Sequence, residues 1–168
     1  APDALPEEGI VEAVAALRAK GVIVMLATGR MYPGTAPIAN HLGLDEVIIC
    51  QQGASIHEPD GSLRLGYTIA QDIAIELYEV AMAHEYSLSW FDHERYLVTS
   101  RTLASEYFAA VSGVEVELHP RPIESGIKAT GIDIISNEKV SGDVHRQLAA
   151  RYGNRVALLD FTTVTAVH

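Results

Sequence analysis

Five apolar residues, Val22 to Leu26, run without a polar break between Gly21 and the Thr28-Gly29 step. That pattern predicts a buried parallel strand covered on both faces. Ahead of it, Glu7 to Lys20 sets Ile10, Val14 and Leu17 on one helical face, with Val11 beside them, and Gly21 as the stop. After it, Tyr32 to Leu42 predicts a second helix whose first turns are disturbed by Pro33 and Pro37. Val47 to Cys50 predicts a second short buried strand. The β–α–β order implies parallel strands and a right-handed crossover.

The pattern then changes. Ala54 to His57 and Leu63 to Leu65 are short strands around Pro59-Asp60-Gly61, which predicts a hairpin. Ala70 to Glu85 is a helix facing inward on Ile73, Leu77 and Val80. Tyr86–Phe91 and Tyr96–Thr99 are strands around the turn Asp92 to Arg95. Leu103–Val111 is a helix, Val114–Leu118 alternates like an edge strand, and His119 to Pro122 is a loop. Gly131–Ser136 is a strand and Glu138–Tyr152 a helix on Val140, Val144 and Leu148. Val156–Phe161 and Thr163–Val167 predict a closing antiparallel pair. The fold class is therefore α/β, divided near Tyr67: residues 1–66 read as parallel α/β and 67–168 as α+β. Two parallel strands do not finish a doubly wound sheet, so residues 1–66 read as part of a larger one.

Composition narrows the partners. The 168 residues carry a formal net charge of −10 and no basic run, which argues against nucleic acid and anionic membrane surfaces. Cys50 is the only cysteine and ends an apolar run, so a buried inert thiol is expected, with no disulfide and no cysteine-based metal cluster. No apolar run reaches membrane-spanning length and no signal peptide is visible, so a cytoplasmic protein is the expectation. The oligomeric state stays open.

The chemistry gathers after the first strand. Ligands of open α/β sheets sit outside the carboxyl ends of the strands. There Thr28 supplies a hydroxyl donor, Gly29 lets backbone N–H groups approach an anion, and Arg30 adds a fixed positive fork. An ordinary strand-to-helix turn is the competing reading. Elsewhere Asp92, His93 and Glu94 share one turn and read as a solvated hairpin tip more than a metal site. His119, beside Pro120 and Arg121, reads as surface loop. Trp90, Tyr96, Tyr107 and Phe108 read as core of the second region, and Glu7, Glu8 and Glu12 as a solvated helix face.

The run Gly21 to Arg30, then Leu42-Gly43-Leu44 and the Gly53-Ala54 step before a hairpin, resembles Cof-type phosphatases of the haloacid dehalogenase superfamily. The likeness follows motif order over the first 66 residues and the order of elements thereafter. It implies a partial Rossmann-like parallel sheet of that family's core in residues 1–66 and its α/β cap in residues 67–168. It also implies a Mg²⁺-dependent phosphatase acting on small phosphorylated metabolites through an aspartyl-phosphate intermediate. Thr28 would hold the phosphoryl group, and Gly29, Arg30, Gln52 and Gly53 would line the substrate. The family usually has Asn before the Gly-Ala step, where this chain has Gln52. The nucleophilic Asp-x-Asp segment, the lysine and the acidic metal motif are not legible, so the chain reads as an internal fragment that is inactive alone. The alternative is a non-catalytic Rossmann-like module that binds a ligand or partner.

Overall fold

The computed structural model describes residues 5–168. Helix α1 (Glu8–Ala19) and helix α2 (Tyr32–His41) precede three short strands, β1 (Ile48–Cys50), β2 (Ser55–His57) and β3 (Leu63–Gly66). These strands form an antiparallel sheet in the order β1-β2-β3. The hairpin falls where expected, with the Gly61 N–H bonded to Glu58 O at 2.9 Å.

The Val22–Leu26 run departs from expectation. It makes no regular strand, and its one bridge joins Ala27 to Ile49 in parallel. The Ile49 N–H donates to Leu26 O and the Thr28 N–H to Ile49 O, both at 2.9 Å. Val24 and Leu26 turn toward a cluster with Val11, Val14, Leu42 and Ile48, whereas Val22, Ile23 and Met25 are exposed. The reason is geometric. Alternate side chains of an extended segment point to opposite faces, and among the described residues only one face is covered. Helix α1 shows the same bias: Val11 and Val14 face the cluster, while Ile10 and Leu17, expected inward, are exposed.

The second region comprises α3 (Gln71–Ala83), β4 (Ser87–Phe91), β5 (Tyr96–Val98), α4 (Leu103–Ser112), β6 (Val116–Leu118), β7 (Gly131–Ile135), α5 (Ser141–Tyr152), β8 (Leu158–Phe161) and β9 (Val164–Val167). Its six strands run in the order β6-β5-β4-β7-β9-β8. All pairs are antiparallel except β5–β6, whose crossover is α4. Helices α3 and α5 cover one face, setting Ile73, Leu77, Leu148 and Tyr152 against Leu88, Trp90, Leu97 and Ile132. Helix α4 covers part of the other face, where Ala109 packs with Phe91, Tyr96, Val98 and Met31. A capping box between Thr102 and Ser105 starts α4, and Gly113 ends it in the left-handed region at φ 66°. No helix among the described residues is long and apolar enough to cross a membrane.

Gln51 and the start of helix α2 tie the regions together. Gln51 is fully buried; its Oε1 accepts from Thr130 Oγ1 at 3.2 Å and its Nε2 donates to Asp92 O. Gly34 in α2 meets the end of α4 so closely that a Cβ there would lie 2.8 Å from Ser112 Cα. The Met31 N–H adds a bond to Ser112 Oγ at 3.3 Å. The Asp92–Arg95 turn is thus docked against the first region through Asp92 O, while Asp92 Oδ1 accepts from the Glu94 and Arg95 N–H groups at 2.8 Å.

Candidate active site

The part of the six-stranded sheet that α4 leaves uncovered faces the end of the 22–27 segment, and a cavity of about 360 Å³ lies between them. Thr28, Gly29, Arg30 and Gln52 form one wall. Asp133, Ile135 and Ala166 on the sheet form another, and Tyr107 and Phe108 of α4 close a side. Of the residues expected at the site, four meet here. Gly53 instead borders an adjoining depression shared with Ala27, Thr28, Gly29, Ile49 and Gln52.

The wall is built by two crossing loops. The Gln52 N–H donates to Thr28 O at 3.2 Å, and the Gln51 N–H to Arg30 O at 3.0 Å. Gln51 and Gln52 both hold positive φ, 51° and 58°, which is uncommon for residues with a Cβ and marks strain held in place by its surroundings. The Gln52 amide lies over Gly29, where a Cβ would come 3.0 Å from Gln52 Cδ. A side chain at 29 would displace the Gln52 amide from this wall. Thr28 Oγ1 accepts the Arg30 N–H at 3.2 Å. Its own proton is left free to donate outward.

Arg30 is distinctive electrostatically. The other arginines each pair with a carboxylate, from Arg18 with Asp45 to Arg155 with Asp72. Among the described residues Arg30 alone of the arginines has no carboxylate partner, in a chain of net charge −10. A half-buried, unpaired arginine lining the same cavity as a free hydroxyl donor is suited to a tetrahedral oxyanion.

Asp133 is a cavity residue that sequence reasoning passed over. It sits mid-strand in Gly131-Ile-Asp-Ile-Ile135 at 6% exposure, and burial raises its carboxyl to about pKa 7. The available signal was an acidic residue inside an apolar strand. His168, on the same cavity, is lowered to about 4 by burial, and its Nδ1 has no partner. Tyr107 corrects its reading as core: it is 65% exposed along the cavity, whereas Trp90 is core and bonds Ile127 O at 3.0 Å. Cys50 is fully buried, and desolvation pushes its thiol up to about 11.

Mg²⁺ does not fit the residues present. Among the described residues no three His, Cys, Asp or Glu side chains gather to hold a cation.

Residues 3–165 match the family of haloacid dehalogenase-like hydrolases, and the chain belongs to that family. A Haemophilus influenzae protein named only as a candidate phosphatase is 29% identical over 79 residues, which cover 46% of this chain and 29% of that protein. A haloacid dehalogenase-like hydrolase from Bacteroides thetaiotaomicron superposes with TM-score 0.77 at 16% identity, over 94% of this chain and 62% of that one. A subclass IIB sugar phosphatase of the superfamily superposes with TM-score 0.75 at 14% identity, over 97% and 62%. The chain thus spans under a third of the curated relative and about 62% of these solved chains.

Proposed function

We propose that this chain is part of a cytoplasmic phosphatase of small phosphorylated metabolites, sugar phosphates or similar. Residues 1–66 contribute part of its core, and residues 67–168 its cap. The observation that carries this reading is the Thr28–Arg30 turn: a hydroxyl with a free proton beside an unpaired arginine at a cavity wall. Phosphoryl transfer depends mainly on positioning and on stabilising charge on the transferred oxygens. Thr28 donates to one phosphoryl oxygen, Arg30 neutralises another, and Gly29 allows the group to lie against the backbone. The cavity wall, with Ile135, Phe108 and Phe161, excludes water from the ester.

The family's chemistry has an aspartate attack phosphorus to give an aspartyl-phosphate, later hydrolysed. Asp133 is the one carboxylate lining the cavity among the described residues, and it belongs to the sheet wall. The attacking aspartate, and the ligands for the Mg²⁺ the family implies, would come from the rest of the protein. The 168-residue chain alone should therefore hydrolyse no phosphate ester.

The test is turnover of p-nitrophenyl phosphate by full-length protein and by the 168-residue chain. Turnover by the first and none by the second supports the reading. Turnover by the isolated chain contradicts the division of labour. Ligand binding without turnover by full-length protein would favour the non-catalytic binding module.

A further inference from the structure

Asp133 occupies an unusual position for a carboxyl group. In the sheet register it lies opposite Ser89 on β4 and Ala166 on β9, so all three share one face. Both neighbours are small, and they leave an opening above Asp133. Its carboxyl makes no hydrogen bond or ion pair with any described residue, although Asp133 is 94% buried (6% exposed) and lines the cavity. A buried carboxyl with no partner costs stability, so a fold that keeps one in its central strand needs another reason for it.

The surroundings indicate what it would bind. Ser89 Oγ and Tyr96 OH bond each other at 2.7 Å on the same face, forming a hydroxyl pair beside Asp133. Phe108 and Phe161 supply apolar ring surface around the cavity, and Tyr107 lies exposed along it. The phosphoryl end is already assigned to Thr28 and Arg30 on the facing wall. Hydroxyls close to a carboxyl, with aromatic surface nearby, suit a polyhydroxylated carbon chain. An ammonium group would instead favour a fully ionised carboxylate, whereas burial here favours the neutral acid.

The geometry points to Asp133 as the specificity-determining residue that hydrogen-bonds a hydroxyl of the substrate's carbon skeleton, selecting sugar or polyol phosphates over phosphate esters without hydroxyls. This rests on the phosphatase reading above. It assigns Asp133 to recognition and gives it no part in bond breaking.

The experiment uses full-length enzyme, comparing kcat/KM for a hexose 6-phosphate with that for phenyl phosphate. The ratio is measured in wild type, Asp133→Asn and Asp133→Leu. Leu fills the site with apolar volume suited to a sheet core, and Asn keeps an acceptor at nearly constant volume, so at least one folded variant is expected. Losing one substrate hydrogen bond lowers the ratio about 10- to 100-fold in Asp133→Leu, carried mainly by KM for the hexose phosphate. Asp133→Asn retains most of the ratio. A Leu ratio within twofold of wild type overturns the proposal. So does a wild-type preference for phosphoethanolamine over glycerol phosphate, which would make the group an ammonium site. Failure of wild type to hydrolyse either ester overturns the phosphatase reading itself, which separates the two failures.

Discussion

Two five-residue runs behave in opposite ways. Val22 to Leu26 is wholly apolar, yet Ile23 is 69% exposed and the segment pairs through one isolated bridge. Gly131–Ile135 carries an aspartate at its centre, yet all five residues are buried. The difference comes from neighbours. β7 is paired on both sides, by β4 and β9, with α3 and α5 packed on one face. Among the described residues the 22–27 segment has β1 on one side and cover on one face only. Hydrophobicity states what a strand could bury, while pairing and layering decide what it does bury. The polar interruption in the better-buried strand is then the more informative residue, since burial gives it a cost.

The comparison can be broken from either end, and the largest effect belongs to the buried strand. Ile132→Ala removes packing from the face beneath α3 and α5 and should cost about 2–5 kcal/mol, read by urea unfolding. The next effect is on the turn that the exposed segment leads into. In full-length enzyme, Thr28→Ala should lower kcat about 100- to 1,000-fold, the usual loss for one donor to developing negative charge. Thr28→Ser should retain much of the rate and Thr28→Val should match Ala, with melting temperatures near wild type. Equal activity of Ser and Val would reduce Thr28 to a packing residue.

Smaller effects follow. Gly34→Ala forces a Cβ into the Val111 carbonyl and Ser112, at a close backbone contact between the regions. It should cost about 1–3 kcal/mol and lower the melting temperature. Asp133→Asn tests the carboxyl through pH. The folded chain holds a proton on Asp133 up to about pH 7, while the unfolded chain releases it near 3.8. Stability from this group is therefore present below that range and lost as pH rises toward 7, by about 1.4 kcal/mol per unit. His168, neutral in the fold down to about pH 4 against 6.5 unfolded, contributes the opposite slope between those values. The two offset each other in wild type. Asp133→Asn should gain on wild type steadily from pH 4.5 to 7 in urea melts, and a constant difference would contradict the burial account. The smallest effect is Ile23→Ala in the 168-residue chain, expected within about 0.5 kcal/mol. A larger cost in full-length protein would show that another element covers this face.

Much of the architecture was legible because local signals and packing agreed. Helix α4 starts and stops within one residue of its pattern, helped by the Thr102 cap and Gly113. The β2–β3 hairpin follows from Pro59-Asp60-Gly61, and β6 lies at the sheet edge as its alternation suggested. Thr28, Gly29, Arg30 and Gln52 were expected near one another and line one cavity. The failures have a common cause. Ile10, Leu17 and the 22–26 run were assigned to an interior by periodicity, which records no neighbours. Gln51 gave no signal, since its role lies in bonds to Thr130 and Asp92, 79 and 41 residues away. Asp133 required knowing that β4 and β9 place Ser89 and Ala166 beside it.

The most direct test of the cavity as a phosphate-ester site is a crystal structure of the full-length protein soaked with tungstate, a heavy-atom mimic of phosphate. The expected result is one tungstate in the cavity, within hydrogen-bond distance of Thr28 Oγ1 and facing the Arg30 guanidinium, with Asp133 left free. Tungstate bound elsewhere, with Thr28 and Arg30 untouched, would contradict it.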